Sequence, residues 1–157
     1  MTIKLTTVLH ALPERVWHEV LTPKLLQFVA APLVHFIPLQ PPSFPENWGN
    51  GRYLAEVRIF GWLPFGTQWI VTSIESEDNE QGRQVYTLRD NGHSHLISTW
   101  DHWIFIEELP NGFTRYTDRI EVRAGILTPF IGIFAWIFYW HRQRRWRLFV
   151  KRGFQYQ

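Results

Sequence analysis

The stretch ILTPFIGIFAWIFYW, residues 126–140, decides the fold, and the arginine-rich segment HRQRRWRLFVKR, residues 141–152, follows it directly. Thr128 and Pro129 are typical of a helix start, as N-cap and first helical residue, so the pattern predicts one helix over about 128–151. A helix that is apolar on every side is expected to be buried. At about 1.5 Å per residue the apolar run rises about 22 Å, which is less than the roughly 30 Å hydrocarbon core of a bilayer. The sequence therefore favours burial in a groove of the protein over a transmembrane span.

Alternating patterns in the rest of the chain predict the strands that form this groove. Pro13 and Pro23 each begin a short helix after the first strand, and Asn91-Gly92 is interpreted as a break between two later strands. Strands are predicted over 2–10, 33–39, 52–60, 66–77, 83–90, 94–107 and 113–123. Strands joined in this way by short turns form an antiparallel sheet. We expect an α+β fold in which a curved sheet wraps around the C-terminal helix.

Composition limits the classes of function. The 157 residues suit a single domain, 1–157, that can bury a core of its own. The chain contains no cysteine, which excludes disulfides, zinc–thiolate sites and thiol catalysis. The beginning, MTIKLTTVLH, has no signal-peptide pattern, so a cytoplasmic location is expected. Nine Trp and twelve Phe supply either a core of aromatic rings or the walls of a ligand cavity.

Positive charge is concentrated at the C-terminal end. The chain carries a net charge of +2, but no acidic residue follows Glu121, whereas seven basic residues do. Cations near a helix C-terminus are favourable in themselves. A second interpretation is peripheral contact of Arg142, Arg144, Arg145 and Arg147 with an anionic membrane, aided by Trp140, Trp146 and Phe149. Nucleic acid is not favoured as a partner, because the first 121 residues carry an acidic excess.

Four stretches, taken in order, resemble one superfamily. They are ALPERVWHEV (11–20), VRIFGWLPFGTQW (57–69), Trp100-Asp101-His102 with NGFTRYTDRIEVRAG (111–125), and FYWHRQRRWRLFVKR (138–152). Together they resemble the START-like, polyketide-cyclase-like superfamily called SRPBCC, in particular its small bacterial ligand-binding members. The resemblance covers nearly the whole chain and implies a helix-grip, Bet v 1-like fold with a deep cavity between the sheet and the long helix. It implies no single reaction, because the superfamily includes lipid carriers, cyclases, plant hormone binders and oxygenase domains.

The last two predicted strands carry the strongest polar candidates, His102 and Asp118. Residues 110–112, Pro-Asn-Gly, suit a three-residue hairpin with Gly112 in the left-handed conformation. That register puts Ile104 opposite Asp118 and His102 opposite Ile120, so His102 and Asp118 become diagonal neighbours about 7–8 Å apart at the backbone. The residues that share their inward face are Trp100, His102, Ile104 and Ile106 on one strand and Tyr116, Asp118, Ile120 and Val122 on the other.

Three interpretations of the His102–Asp118 pair stay open. The pair is a general acid–base couple for proton abstraction next to a carbonyl, a buried pair that satisfies itself, or a polar anchor for a bound ligand. Residues of the opposite parity are expected on the solvated face of the sheet: Glu56, Arg58, Arg115, Thr117, Arg119, Glu121 and Arg123.

We expect the domain to enclose a small hydrophobic or amphipathic molecule. The alternatives are a cyclase- or dehydratase-like enzyme that uses the same pocket, and a membrane- or partner-binding module led by the arginines. His93 and His95, with Asp90, lack a further metal ligand, so neither a metal nor a cofactor is expected. Monomer and homodimer are equally compatible with the sequence. The candidate ligand-binding residues are Trp69, Trp100, His102, Trp103, Tyr116, Asp118, Phe130, Phe134 and Phe138, of which Trp103 has the opposite parity from Trp100.

Overall fold

Seven antiparallel strands form one sheet in the computed structural model, which describes residues 1–78 and 82–157. The strands are β1 (Thr2–Leu9), β2 (Val34–Gln40), β3 (Gly51–Ile59), β4 (Leu63–Asp78), β5 (Gln84–Ser94), β6 (Thr99–Glu108) and β7 (Thr114–Arg123). Their order across the sheet is β1-β7-β6-β5-β4-β3-β2. Consecutive strands from β2 to β7 are therefore neighbours, as expected for strands joined by hairpins. The last strand, β7, pairs with β1, which forms the edge of the sheet opposite β2.

Three α-helices complete the described part of the chain. Helices α1 (Pro13–Val20) and α2 (Pro23–Ala30) lie between β1 and β2, and a 3₁₀ turn (Gly125–Leu127) leads into α3 (Thr128–Lys151). The long helix packs against β1, β7 and α2. The predicted α+β helix-grip fold is therefore confirmed, with two short helices after the first strand and one long helix at the end. None of the described helices combines the length and hydropathy needed to cross a bilayer.

The predicted N-cap of α3 is wrong. Leu127 takes the cap position, because Thr128 follows the 3₁₀ turn and already has helical backbone angles (φ −49°, ψ −44°). The Thr128 hydroxyl instead donates to the Gly125 carbonyl at 2.7 Å and accepts from the Ala124 N–H at 2.9 Å. Thr128 thus stabilises the 3₁₀ turn that precedes the helix.

The predicted break at Asn91-Gly92 is also wrong, because β5 continues to Ser94. Gly92 pairs with Trp100 inside the sheet, and a Cβ atom there would lie 2.5 Å from the Trp69 carbonyl oxygen. The glycine therefore permits a close backbone approach within the sheet.

Alternation along the strands separates a packed face from a solvated one. On β6 and β7 the residues predicted to face inward are all buried. The opposite face carries ion pairs, including Arg89–Asp101 at 2.8 Å and Arg123–Glu121 at 2.6 Å. The predicted solvated ladder is confirmed except at Thr117, which is buried and bonded to the Thr6 hydroxyl at 3.0 Å. The sheet therefore presents one face to α3 and the core.

Helix α3 is buried on one side only, which corrects the expectation of burial all round. Its C-terminal half is anchored by Trp146 and Phe149, both fully buried. Its N-terminal half leaves a row of large apolar side chains exposed, because the sheet covers only the other side of the helix. They are Ile133, Trp136, Ile137 and Trp140, and Phe130 is exposed at the start of the helix.

Candidate functional site: a cavity with a polar inner end

A cavity of about 370 Å³ lies between the sheet and the N-terminal half of α3. Its walls are largely apolar, with contributions from β2 to β6, α2 and α3. The side chains at its mouth are exposed, namely Leu63, Phe65 and Phe130. Among the described residues, five polar ones complete the lining: Gln68, Asp90, His102, Tyr139 and Arg142. Such a combination of apolar walls and a few convergent polar groups is typical of small-molecule sites.

The sheet register brings the acidic groups and the histidine together. Asp90 on β5 stands directly opposite His102 on β6, and His102 stands opposite Ile120 on β7. Ile104 is opposite Asp118, so the predicted register is confirmed. His102 Nε2 lies 2.8 Å from Asp118 Oδ1, as side-chain reach between diagonal neighbours allows. Asp90, His102 and Asp118 thus occupy three adjacent strands.

Asp118 is fully buried and behind the cavity wall. Its Oδ1 also accepts from the Tyr116 hydroxyl at 3.2 Å, and its Oδ2 accepts from Gln143 Nε2 at 3.0 Å. Burial alone would raise the pKa of Asp118, but hydrogen bonds from His102 and Gln143, with the nearby charge of Arg142, hold it below its ordinary value. Asp118 is therefore a carboxylate whose partners are all protein groups.

Burial lowers the pKa of His102, and the attraction of Asp118 opposes this only in part. The imidazole is therefore neutral at neutral pH. Its Nε2–H donates to Asp118, which leaves Nδ1 unprotonated. Nδ1 has no hydrogen-bond partner among the described residues, and the His102 ring lines the cavity. The site accordingly offers one acceptor nitrogen to a guest molecule.

Asp90 is the acidic group of the cavity lining. Its Oδ1 accepts from the backbone N–H of Val71 on β4 at 2.8 Å. Burial raises the pKa of Asp90 to about 7, although the Val71 N–H and the charge of Arg142 oppose the shift. Asp90 therefore titrates near neutral pH. In the sequence Asp90 is a candidate only beside His93 and His95, but both histidines are exposed and Asp90 lies in the cavity, so the three do not meet.

Arg142 lines the cavity with only 4% of its surface exposed. Its guanidinium carbon lies 4.9 Å from the centre of the Tyr139 ring and 5.8 Å from that of Phe138. Burial alone would lower the pKa of Arg142, but Tyr116, Asp118 and Tyr139 outweigh this and raise it above its ordinary value. The cavity therefore contains a permanent positive charge.

The prediction that Arg142 contacts a membrane surface is wrong, because the residue is inside the protein. A signal for this was present in the sequence, since Phe134, Phe138 and Arg142 follow one another at helical spacing. Those three residues line the same cavity. The number of arginines in the segment does not show that Arg142 is buried while Arg144 and Arg147 are exposed.

The other residues of the predicted membrane contact also divide between core and surface. Trp146 and Phe149 are fully buried, so they are unavailable to lipid. Arg145 donates from Nε to the Phe28 carbonyl at 2.9 Å, and Arg147 donates from Nη1 to the Thr7 hydroxyl at 3.0 Å. These arginines therefore connect α3 to α2 and β1. Arg144, Arg147 and Trp140 are exposed.

The structure brings together five of the nine predicted ligand-binding residues as cavity lining: Trp100, His102, Phe130, Phe134 and Phe138. Tyr116 and Asp118 lie behind His102 in the core. Trp69 and Trp103 do not line the cavity, which corrects their predicted place in its wall. Trp69 packs under Arg52, with 4.8 Å between the guanidinium carbon and the ring centre, and Trp103 packs with Arg89 at 4.5 Å.

Strand alternation explains both corrections. Gln68 and Ile70 face the cavity, so Trp69 between them faces the other way. By the same rule Trp103 on β6 faces away from the cavity, because the preceding residue, His102, faces into it. The polar lining residues missed by sequence reasoning were Gln68, Tyr139 and Arg142, together with Asp90 in its cavity role.

The fold is shared with solved structures. No protein-family model matches the sequence. No curated protein matches it either. A START superfamily protein from Mycobacterium smegmatis is 12% identical with a TM-score of 0.59, over 96% of this chain and 97% of that one. Ara h 8.0201 is 11% identical with a TM-score of 0.58, over 97% and 98% of the two chains. Zhui aromatase/cyclase from Streptomyces sp. R1128 is 12% identical with a TM-score of 0.59, over 99% and 96%.

At these identities the comparisons establish the fold alone, and the chain has the START-like helix-grip fold. The fold implied by the sequence resemblance is therefore confirmed.

Proposed function

We propose that the protein binds a small hydrophobic or amphipathic molecule in the cavity between the sheet and α3. The observation that carries this proposal is the cavity itself, about 370 Å³ in volume and largely apolar. Ligand pockets typically range from about 300 to 1,000 Å³. Protein interiors are otherwise close-packed, with few voids larger than a water molecule. A space of this size beside a long helix is therefore best explained by a guest.

The shared fold supports the proposal without naming a ligand. One structural neighbour is described as an aromatase/cyclase and another as a START superfamily protein. The same fold therefore serves in at least one protein named for an activity on small molecules. The polar groups at the inner end of the cavity then provide orientation for a guest held mainly by apolar contact.

The test is fluorescence titration with the neutral apolar dye N-phenyl-1-naphthylamine. Val57 is 6% exposed and lines the cavity, whereas Val8 is 44% exposed on β1, outside the lining. Val57→Trp fills the space, so dye affinity is expected to fall at least tenfold, while Val8→Trp leaves it unchanged. Circular dichroism melting checks that both variants fold. Equal dye binding by Val57→Trp and the wild type would reject the cavity as the binding site.

A second candidate function is catalysis of the cyclase or dehydratase type in the same pocket. The observation that favours it is the His102–Asp118 pair, in which Asp118 orients a neutral imidazole whose other nitrogen is free to accept a proton. Deuterium uptake next to the carbonyl of 2-decanone in D₂O measures proton abstraction directly. Catalysis predicts faster uptake with the wild type than with His102→Ala, although both bind the dye. Equal uptake with both proteins would reject this function.

Cytoplasmic location and peripheral membrane contact are also proposals. The absence of cysteine suits a reducing compartment.

Membrane contact would rest on the exposed Arg144 and Arg147, with Trp140 beside them. Co-sedimentation with anionic vesicles at low and high salt tests it. Contact through these arginines predicts binding at low salt that is lost at high salt and in Arg144→Met. Absence of binding at low salt removes the membrane role.

A further inference from the structure

We propose that the ligand is an anionic amphiphile whose carboxylate is bound by Arg142 at the inner end of the cavity. This inference rests on the proposed function, since it assigns a chemical class to the guest of the same cavity.

Arg142 is a buried cation that has no carboxylate partner among the described residues. Its Nε has no hydrogen-bond partner, and no described carboxylate oxygen lies within 4.0 Å of its guanidinium nitrogens. A guanidinium presents five N–H donors, and the Tyr139 hydroxyl that interacts with Arg142 is a neutral group, which can accept only part of them and cannot balance the charge. Burying a charge is costly unless it is paired and hydrogen-bonded. The structure therefore leaves a place for an anion beside Arg142.

The two nearby acids are already engaged elsewhere. Asp118 is held by His102, Tyr116 and Gln143, and Asp90 accepts from the Val71 N–H. Neither acid forms an ion pair with Arg142. Moreover, burial raises the pKa of Asp90 to about 7, so Asp90 is partly protonated at neutral pH. An external carboxylate therefore meets an open cation, and the planar guanidinium favours bidentate pairing with it.

An apolar path leads from Arg142 to the mouth. Phe138, Phe134 and Phe130 precede Arg142 at intervals of four residues on α3, and all three line the cavity. From Arg142 to Phe130 the helix rises about 18 Å at about 1.5 Å per residue. A charged head at Arg142 would thus place an elongated tail against these aromatic rings. The arrangement fits a molecule with one anionic end and one apolar end.

The experiment compares molecules of equal tail length and different head. Decanoate, decan-1-ol and decyltrimethylammonium compete with N-phenyl-1-naphthylamine for the wild type, Arg142→Met and Arg144→Met. We expect the wild type to prefer decanoate to decanol by at least about tenfold, because only the carboxylate can form charge-assisted hydrogen bonds with Arg142. Arg142→Met should lose that preference while it retains decanol affinity, and decyltrimethylammonium should compete most weakly. Arg144→Met, an exposed arginine two residues away, should behave as the wild type.

The outcomes separate this inference from the proposed function. If the dye binds but the wild type prefers decanol or binds both molecules equally, the anionic head is rejected and the cavity stands as an apolar site. Retention of the decanoate preference in Arg142→Met would also reject the assignment to Arg142. If neither the dye nor any amphiphile binds, the proposed function itself fails. Should Arg142→Met not fold, the wild-type comparison of decanoate with decanol still decides for or against an anionic head.

Discussion

Asp90 and Asp118 face the same side of the sheet, two strands apart, and their pKa values move in opposite directions. Burial raises both, but Asp118 receives side-chain hydrogen bonds from His102 and Gln143 and its pKa ends below the ordinary value. Asp90 receives one backbone N–H from Val71, and its pKa rises to about 7. The difference lies in the number of donors that each carboxylate meets. It gives the two residues opposite effects on stability.

Replacement of Asp90 by Asn is expected to stabilise the protein at pH 8. A folded pKa near 7, above the ordinary 3.8, means that folding favours the protonated form, so stability is lost as pH rises from about 4 to 7. Asp90→Asn keeps the acceptor for Val71 and removes the charge, which should raise the free energy of unfolding by about 1–3 kcal/mol at pH 8. Urea unfolding at pH 5 and pH 8 measures it. Asp101→Asn on the opposite face, where Arg89 pairs with the carboxylate, should not stabilise; a gain there would contradict the argument.

Replacement of Asp118 by Asn is expected to destabilise the protein at neutral pH. Its depressed pKa contributes stability above the ordinary value of 3.8, and this is lost as pH falls through the folded pKa. Asp118→Asn removes the charge that strengthens the hydrogen bonds from the buried His102 and Gln143 and that attracts Arg142, at a cost of about 1.5–3 kcal/mol. Urea unfolding at pH 7 gives the value. An unchanged midpoint in Asp118→Asn would show that the pair contributes nothing to folding.

Helix α3 has three successive roles along its length. The first half presents aromatic rings to the cavity, the middle brings in Arg142 and Gln143, and the last turns bury Trp146 and Phe149 in the core. The anchor and the cavity wall are therefore on the same rigid element. Mutations in the two halves should have different consequences, one for stability and one for binding.

Truncation of the anchor is expected to cost far more stability than truncation of an exposed ring on the same helix. Trp146 is fully buried, whereas Trp136 is 50% exposed. Trp146→Ala should lower the free energy of unfolding by about 3–5 kcal/mol, and Trp136→Ala by much less. Thermal melting of the two variants compares them. Similar melting temperatures of the two variants would show that Trp146 does not anchor the helix.

At the scale of the elements, much of the structure was predictable from the sequence. Alternation fixed the inward faces of β6 and β7, and the hairpin length set the register that joins His102 to Asp118. The failures occurred where local signals have two meanings. Thr128 resembles an N-cap but follows a 3₁₀ turn, and Gly92 resembles a turn residue but allows the Trp69 backbone to approach. Only the three-dimensional neighbours distinguish these cases.

In the whole molecule, the cavity lies next to the part of the sheet that is far from β1. Helix α3 packs on β1, β7 and α2, while the cavity is bounded by β2 to β6. Periodicity predicts that a helix covers a sheet, but it does not predict how completely, because that depends on how side chains from many elements fill the space. The size of the cavity therefore could not be derived from the sequence pattern alone, and helical spacing put Arg142 on the same face as Phe134 and Phe138 without showing how deeply it is buried.

A guest that binds only the folded protein is expected to raise its melting temperature. At a ligand concentration of about one hundred times Kd the stabilisation is about 2.7 kcal/mol, which corresponds to a rise of several degrees for a chain of this size. Differential scanning fluorimetry with decanoate measures the shift. Val57→Trp, in which the cavity is filled, should show no rise. An equal rise in Val57→Trp would locate binding outside the cavity.

The depth of Arg142 has a consequence for traffic in and out of the protein. The apolar side chains of Leu63, Phe65 and Phe130 surround the opening. An acid bound to Arg142 would therefore have entered with its carboxylate end first and lost the water bound to that end on the way. Once seated, its reactive end would be sealed off and only the hydrocarbon end would look outward. Any enzyme that acts on that acid would have to wait for its release. If the proposed acid binds there, the position of Arg142 predicts that its carboxylate is protected from solvent and exchanges slowly.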